Sequence, residues 1–284
     1  ARRGVLPNVH RGCVGGVSST GTCGGLAWVA GVTHREAMSI ATVLITGTSG
    51  GLGASSLSAA VAKGIADALR PVVLIDLDLD GGGLDVTCGI EHLDGLRWPD
   101  LSQLEGKVPP HRLIRALPGP TERKVLSAGP LRAGPSSAES PSQAGRRDAL
   151  ASLSASERVL VVDLPRGRCA IESESAVWDI LRPTLWLLLV GTRTRGLADL
   201  DTFLTHVDRR GTRGVDAFLI VTGGPHHVSG LDEAITQHTG IPVIGHVPWR
   251  PAAARTADRG EWPHSGAQEV VRAVCRRLPE ARAA

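Results

Sequence analysis

From Ala41 onward the chain is punctuated by seven short runs rich in Val, Ile and Leu: Thr42–Thr46, Val72–Leu77, Lys124–Ser127, Val159–Leu164, Thr184–Val190, Ala217–Thr222 and Pro242–Val247. Apolar residues fill both faces of these runs, which suits strands buried on both sides of a parallel sheet. Between them lie helical stretches at Ala54–Leu69, Arg147–Ser156, Ser173–Leu181, Gly196–Arg209, Gly230–His238 and Ala267–Leu278. That alternation predicts βαβ crossovers and an α/β fold: a doubly wound, mainly parallel sheet flanked by helices. The stretch Ala133–Gln143, made of Pro, Ser, Gly and Ala among polar residues, reads as a flexible loop within this domain.

Composition supports one folded unit and narrows its chemistry. Hydrophobic residues make up 42% and charged residues 21% of the 284, enough apolar material to fill a core. There is no tyrosine, which excludes any mechanism built on a catalytic phenol. No apolar run reaches the roughly 18 residues needed to span a bilayer. A net charge of +3 is too small to predict nucleic-acid binding. The five cysteines are widely spaced and form no CxxC, which argues against a disulfide framework and makes a cytoplasmic setting the expectation. Residues 1–40 are rich in Gly, Ser, Thr and Arg and lack periodicity. They are expected to form a poorly ordered extension ahead of a domain spanning 41–284. His10, Cys13, Cys23 and His34 are too irregularly spaced for zinc and read as part of that solvated tail.

Function is most legible in Val43-Leu-Ile-Thr-Gly-Thr-Ser-Gly-Gly-Leu-Gly-Ala-Ser-Ser-Leu57. A buried strand runs into a Gly/Ser turn that opens a helix. Backbone N–H groups there converge, and the helix dipole adds positive potential, so the turn suits a phosphate. Gly50, Gly51 and Gly53 allow positive φ and close approach; a plain tight βα turn is the simpler alternative. Thr46-Gly-Thr-Ser-Gly-Gly-Leu-Gly53 also fits the TGxxxGxG fingerprint of short-chain dehydrogenases. That family's Tyr-x-x-x-Lys pair cannot exist here. NAD(P) binding as such stays open.

A second resemblance covers more of the chain. Ser49-Gly50-Gly51-Leu52-Gly53-Ala54-Ser55-Ser56 resembles the deviant Walker A loop of the ParA/MinD ATPases, whose pattern is Lys-Gly-Gly-x-Gly-Lys-Thr-Thr/Ser. Val73-Leu-Ile-Asp-Leu-Asp-Leu-Asp80 resembles their Walker A′ segment, and Val159-Leu-Val-Val-Asp-Leu-Pro165 their Walker B. Strand-end carboxylates in this order gather at the carboxyl edge of the sheet. Further stretches are similar to the CpaE-like, septum site-determining branch: residues 76–85, Gly95-Leu-Arg-Trp-Pro-Asp-Leu101, Val162-Asp-Leu-Pro-Arg166 and Arg250-Pro with Arg259-Gly260.

The resemblance implies a P-loop fold, ATP or ADP with Mg²⁺, a homodimer, and partners in division or in pilus and secretion machinery. It implies the loop from Ser49 to Ser56 as the phosphate cradle and Ser55 as a Mg²⁺ ligand. Asp76 would hold a metal-bound water, Asp163 would support the metal, and Asp78 would orient the attacking water. Both family lysines are missing, replaced by Ser49 and Ala54. A lost charge-assisted contact costs on the order of 1.5–3 kcal/mol, so ATPase activity is expected to be slow or absent. A scaffold that binds protein partners without nucleotide is the first rival reading, and an NAD(P)-binding protein the second. Arg166, Arg168, Arg193 and Arg195 are candidates to replace the missing lysine, or are solvated surface arginines. The loop after Ile220-Val-Thr222 lacks the family's adenine-side Asn, and His226 and His227 follow as a polar loop. Val270, Val271, Val274, Cys275 and Leu278 form one face of the last helix, expected to pack on the sheet rather than to contact membrane. Trp98 and Trp249 sit on loops, as a partner surface or as lids over the core.

Overall fold

The computed structural model describes residues 41–68, 70–79, 83–101, 104, 106–129, 142–167, 177–210, 215–224, 230–248, 261–263 and 266–279. The expected extension 1–40, positions 133–141 of the expected loop, Arg168, His226, His227 and Trp249 lie outside them. Seven strands are present where expected, each end within one residue: β1 (Thr42–Gly47), β2 (Val72–Asp76), β3 (Arg123–Leu126), β4 (Val159–Asp163), β5 (Leu185–Gly191), β6 (Asp216–Thr222) and β7 (Val243–Val247). They form one sheet in the order β3-β2-β4-β1-β5-β6-β7, and every neighbouring pair is parallel.

The continuous apolar runs have a direct structural reason. Val43 and Ile45 of β1 face one core layer, with Leu74 and Val161 of the adjoining strands. Leu44, between them, faces the other layer with Ile75, Val162 and Trp186. Both faces of the central strands are covered, so no position can be polar without cost. One face is covered by α1 (Ala54–Asp67) and by the C-terminal helix described below; the other is covered by longer crossovers.

Helix α2 (Leu84–Thr87), a 3₁₀ turn at Trp98–Leu101 and α3 (Pro110–Ala116) were not expected from the sequence. The first two are about one turn each, too short to show a period. Helix α3 hides behind Pro109-Pro110, although proline is well suited to a first helical turn. Helix α4 (Gln143–Ser154) begins four residues earlier than Arg147. Ser142 caps it by accepting from Gly145 N at 3.0 Å, so Gln143 belongs to a helix and not to the loop. Of the expected helix Ser173–Leu181, the described part is a π turn at Val177–Leu181. Helices α5 (Thr194–Arg210) and α6 (Leu231–Thr239) match expectation within two residues.

The last helix, α7 (Gln268–Cys275), buries Val270 and Val274 against the core. Leu278, just beyond it, is buried too. Its apolar face therefore packs on the protein, as expected, and Val271 lies against α1 at Gly64. A methyl group added at Gly64 would overlap Val271 Cγ1. Gly64→Ala should therefore destabilise the protein by about 1–3 kcal/mol, although alanine in a helix interior normally adds up to ~1 kcal/mol. Val271→Ala in the same background should restore much of the loss in urea unfolding; a stabilised Gly64→Ala protein would show that α7 does not sit there. Among the described residues no helix is long and apolar enough to cross a membrane.

Candidate functional site

Seven parallel strands put their carboxyl ends on one edge, and the chain leaves β1 and β5 in opposite directions, towards β2 and β6. A crevice opens at such a divergence, and the glycine loop sits in it. Thr48 ties the loop to β5: its N and its Oγ1 each donate to Leu189 O at 3.0 Å. Leu52 packs inward on the core layer under α1. Gly51 has φ +76° and Gly53 φ +84°, values that favour glycine, and among the described residues nothing lies within 4 Å of where a Cβ at either would stand. Among the described residues the loop's outer side is thus open, and no side chain caps the start of α1. Ser49, Gly50, Ser55 and Ser56 complete the rim, while Ala54 packs against the core.

Below the loop lie two carboxylates. Asp76 ends β2 and Asp163 ends β4, and the two are in-register partners on neighbouring strands. Both are buried, at 2% exposure each. Asp76 accepts from Asp78 N at 3.0 Å and from Leu84 N at 2.9 Å. Burial, then the charge of Asp163, still push its carboxyl up to about 8. Burial pushes Asp163 up to about 7, against hydrogen bonds from Ser55 and Ser58. Asp78 lies close enough to disfavour ionisation of both. The structure thus brings Ser55, Asp76, Asp78 and Asp163 together at one edge of the sheet.

Two buried acids that resist ionisation, with a serine hydroxyl on one of them, fit a hard divalent cation, which would relieve their repulsion. The open glycine cradle fits an anion. Among the described residues no cluster of three His, Cys, Asp or Glu side chains is arranged to hold a metal, so a cation here would take ligands from Ser55 and from the anion as well.

Several contributors were missed in the sequence. Ser58 Oγ lies 3.0 Å from both Asp163 Oδ1 and Ala54 O, locking α1 to β4; its position one turn past Ser55 was the available signal. Trp98 is fully buried, and its indole N–H donates to Asp76 O at 2.6 Å. The partner-surface reading is therefore wrong for Trp98 and the lid reading right. Arg97 Nε donates to Asp85 Oδ2 at 3.1 Å, and its remaining N–H groups reach the carbonyls of Gly95, Ile90 and Leu93. This buried pair braces the segment from Gly83 to Leu101 behind Asp76.

A doubly wound parallel sheet with a glycine loop at its switch point and acids at two strand ends defines a nucleotide-binding α/β fold of the P-loop kind. The chain belongs to the CobQ/CobB/MinD/ParA nucleotide-binding domain family, matched over residues 43–264. Two uncharacterised proteins of Mycobacterium tuberculosis, from strains CDC 1551 and H37Rv, are each 39% identical over 130 residues. The match takes in 44% of this chain and 33% of each relative, so the chain spans about a third of the curated relatives' length. A ParA family ATPase from Chlorobium tepidum superposes with a TM-score of 0.64 at 13% identity, over 84% of this chain and 98% of that one. The septum site-determining protein MinD from Pyrococcus horikoshii, complexed with Mg-ADP, gives 0.57 at 13% identity over 82% and 93%. At such identities the likeness is one of fold.

Proposed function

We propose that this chain is a deviant-Walker nucleotide-binding protein that takes Mg²⁺ with ATP or ADP, hydrolyses slowly or not at all, and signals through dimerisation. The observation that carries the reading is the open cradle at Gly51 and Gly53, set over the buried pair Asp76 and Asp163. Backbone N–H groups from Gly50 to Ser55 would bind the phosphates, and the start of α1 adds its dipole. Ser55 and Asp163 would hold the cation directly, and Asp76, already bound to two backbone N–H groups, would hold it through water. A bound Mg²⁺ would supply the charge neutralisation that phosphate oxygens require. Asp78 would position a water. With Ser49 and Ala54 in place of lysines, nothing in the loop stabilises charge that develops during transfer, which favours a long-lived bound state.

Such a protein suits spatial regulation of septum placement or of pilus and secretion machinery, as a homodimer whose partners read the bound state. The CpaE-like, septum site-determining resemblance of residues 76–85, 95–101 and 162–166 supports this role. A calorimetric titration tests the reading. Mg-ATP or Mg-ADP should bind between micromolar and low millimolar, and NADPH should not. Absence of any nucleotide binding would favour the scaffold reading, and NADPH binding alone would favour the dinucleotide one. Sedimentation with and without Mg-ATP checks the dimer.

A further inference from the structure

No lysine of this chain stands at the glycine loop. Lys63 pairs with Asp67 towards the far end of α1. Lys124 gives its ammonium to the carbonyls of Leu117 and Gly119, and Lys107 sits on the connection that leads into α3. Among the described residues one cation does reach the loop. Arg166 Nη1 lies 2.9 Å from the point where a Cβ on Gly50 would stand, with Cδ at 3.5 Å and Cζ at 3.7 Å. The guanidinium therefore crosses the face of Gly50, and the missing side chain is what lets it do so.

The backbone beneath Arg166 is fixed to the same strand end that carries the loop. Leu164 N donates to Ile45 O at 2.9 Å, Thr46 Oγ1 to Pro165 O at 2.8 Å, and Gly167 N to Gly47 O at 3.0 Å. Gly167, at φ +57°, turns the chain away immediately afterwards. Arg166 is exposed, and among the described residues its guanidinium has no hydrogen bond or ion pair. A planar cation with five N–H donors, resting on an uncapped glycine loop, is built to engage phosphate oxygens in pairs.

We infer that Arg166, supplied in cis from the end of β4, is the phosphate-binding cation of this site and takes over the charge that Ser49 and Ala54 do not carry. The inference rests on the nucleotide reading above. It adds that the cation comes from across the crevice, so that it contacts the polyphosphate from the Gly50 side. Gly50 then has two tasks, as a loop donor and as the space that Arg166 occupies.

Isothermal titration of the full chain with Mg-ATP, repeated from about 50 to 300 mM salt, tests this. Arg166→Ala should weaken binding about tenfold or more at low salt, and the wild-type and variant affinities should converge as salt rises. Arg166→Lys should recover part of the loss, because it restores charge without the paired donors. Gly50→Ala, which displaces the guanidinium, should add little to Arg166→Ala in the double variant. Wild-type binding with Arg166→Ala within twofold at every salt concentration would overturn the inference and leave the nucleotide reading standing. A wild-type protein that binds no nucleotide would overturn both.

Discussion

Arg97→Ala is expected to remove about 3–5 kcal/mol of stability, because it leaves the fully buried Asp85 carboxylate without its partner. Domains of this kind have about 5–15 kcal/mol in total, so the variant should unfold at markedly lower urea, with an unchanged slope if it stays two-state. The loss comes from an uncompensated charge. Replacing Asp85 and Arg97 together with apolar residues of similar volume should therefore cost far less than either single change. The damage should also reach the site. Arg97 holds the carbonyls of Ile90, Leu93 and Gly95, and the next residue, Trp98, donates to Asp76 O. The segment thus grips the end of β2 twice, through the Trp98 indole on Asp76 O and through Leu84 N on the Asp76 carboxylate. Arg97→Ala should thus weaken Mg²⁺-dependent binding even at temperatures where the fold persists. A loss below about 1 kcal/mol would show that the pair braces nothing.

The metal-free protein is expected to lose stability as pH rises from about 5 to 8. The sign follows from linkage. Asp76 and Asp163 titrate near 8 and 7 in the folded chain and near 3.8 when exposed. Above about pH 4 the unfolded chain has released protons that the native state still holds. Their contribution is complete below pH 4 and fades as pH passes through 7 to 8. A fall in Tm of more than about 5 °C between pH 5 and pH 8 is expected for a chain of this size. Asp76→Asn should flatten that slope. Asp163→Asn should flatten it as well and also remove most of the stabilisation that added Mg-ADP gives the wild type. A stability that rises over this range in the wild type, with both variants parallel to it, would contradict the buried-pair account.

The strands and the glycine loop were legible in the sequence because burial on both faces leaves a plain mark: Val159-Leu-Val-Val-Asp163 can hardly be anything but a central parallel strand. The acids at β2 and β4 followed from the same mark, since each closes an apolar run. Long crossover helices were equally visible. What stayed hidden depends on contacts between distant positions. Nothing local says that Arg97 meets Asp85, that Ser58 meets Asp163 across 105 residues, or that Trp98 is buried at the back of Asp76. A tryptophan beside a proline reads as a loop residue, and only the fold shows that the loop folds inward. Arg166 is the intermediate case. Its place just after β4 put it at the correct edge, but its rest against Gly50 depends on three hydrogen bonds between the ends of β1 and β4, two between backbone groups and one from the Thr46 hydroxyl.

A structure of the full chain with Mg²⁺ and a non-hydrolysable ATP analogue tests the central claim most directly. The account predicts phosphate oxygens within hydrogen-bond distance of the backbone N–H groups between Gly50 and Ser55. It also predicts a cation touching Ser55 Oγ, with Asp163 beside it. Analogue bound elsewhere, or a loop that stays empty in saturating analogue with Asp76 and Asp163 still protonated, would contradict it.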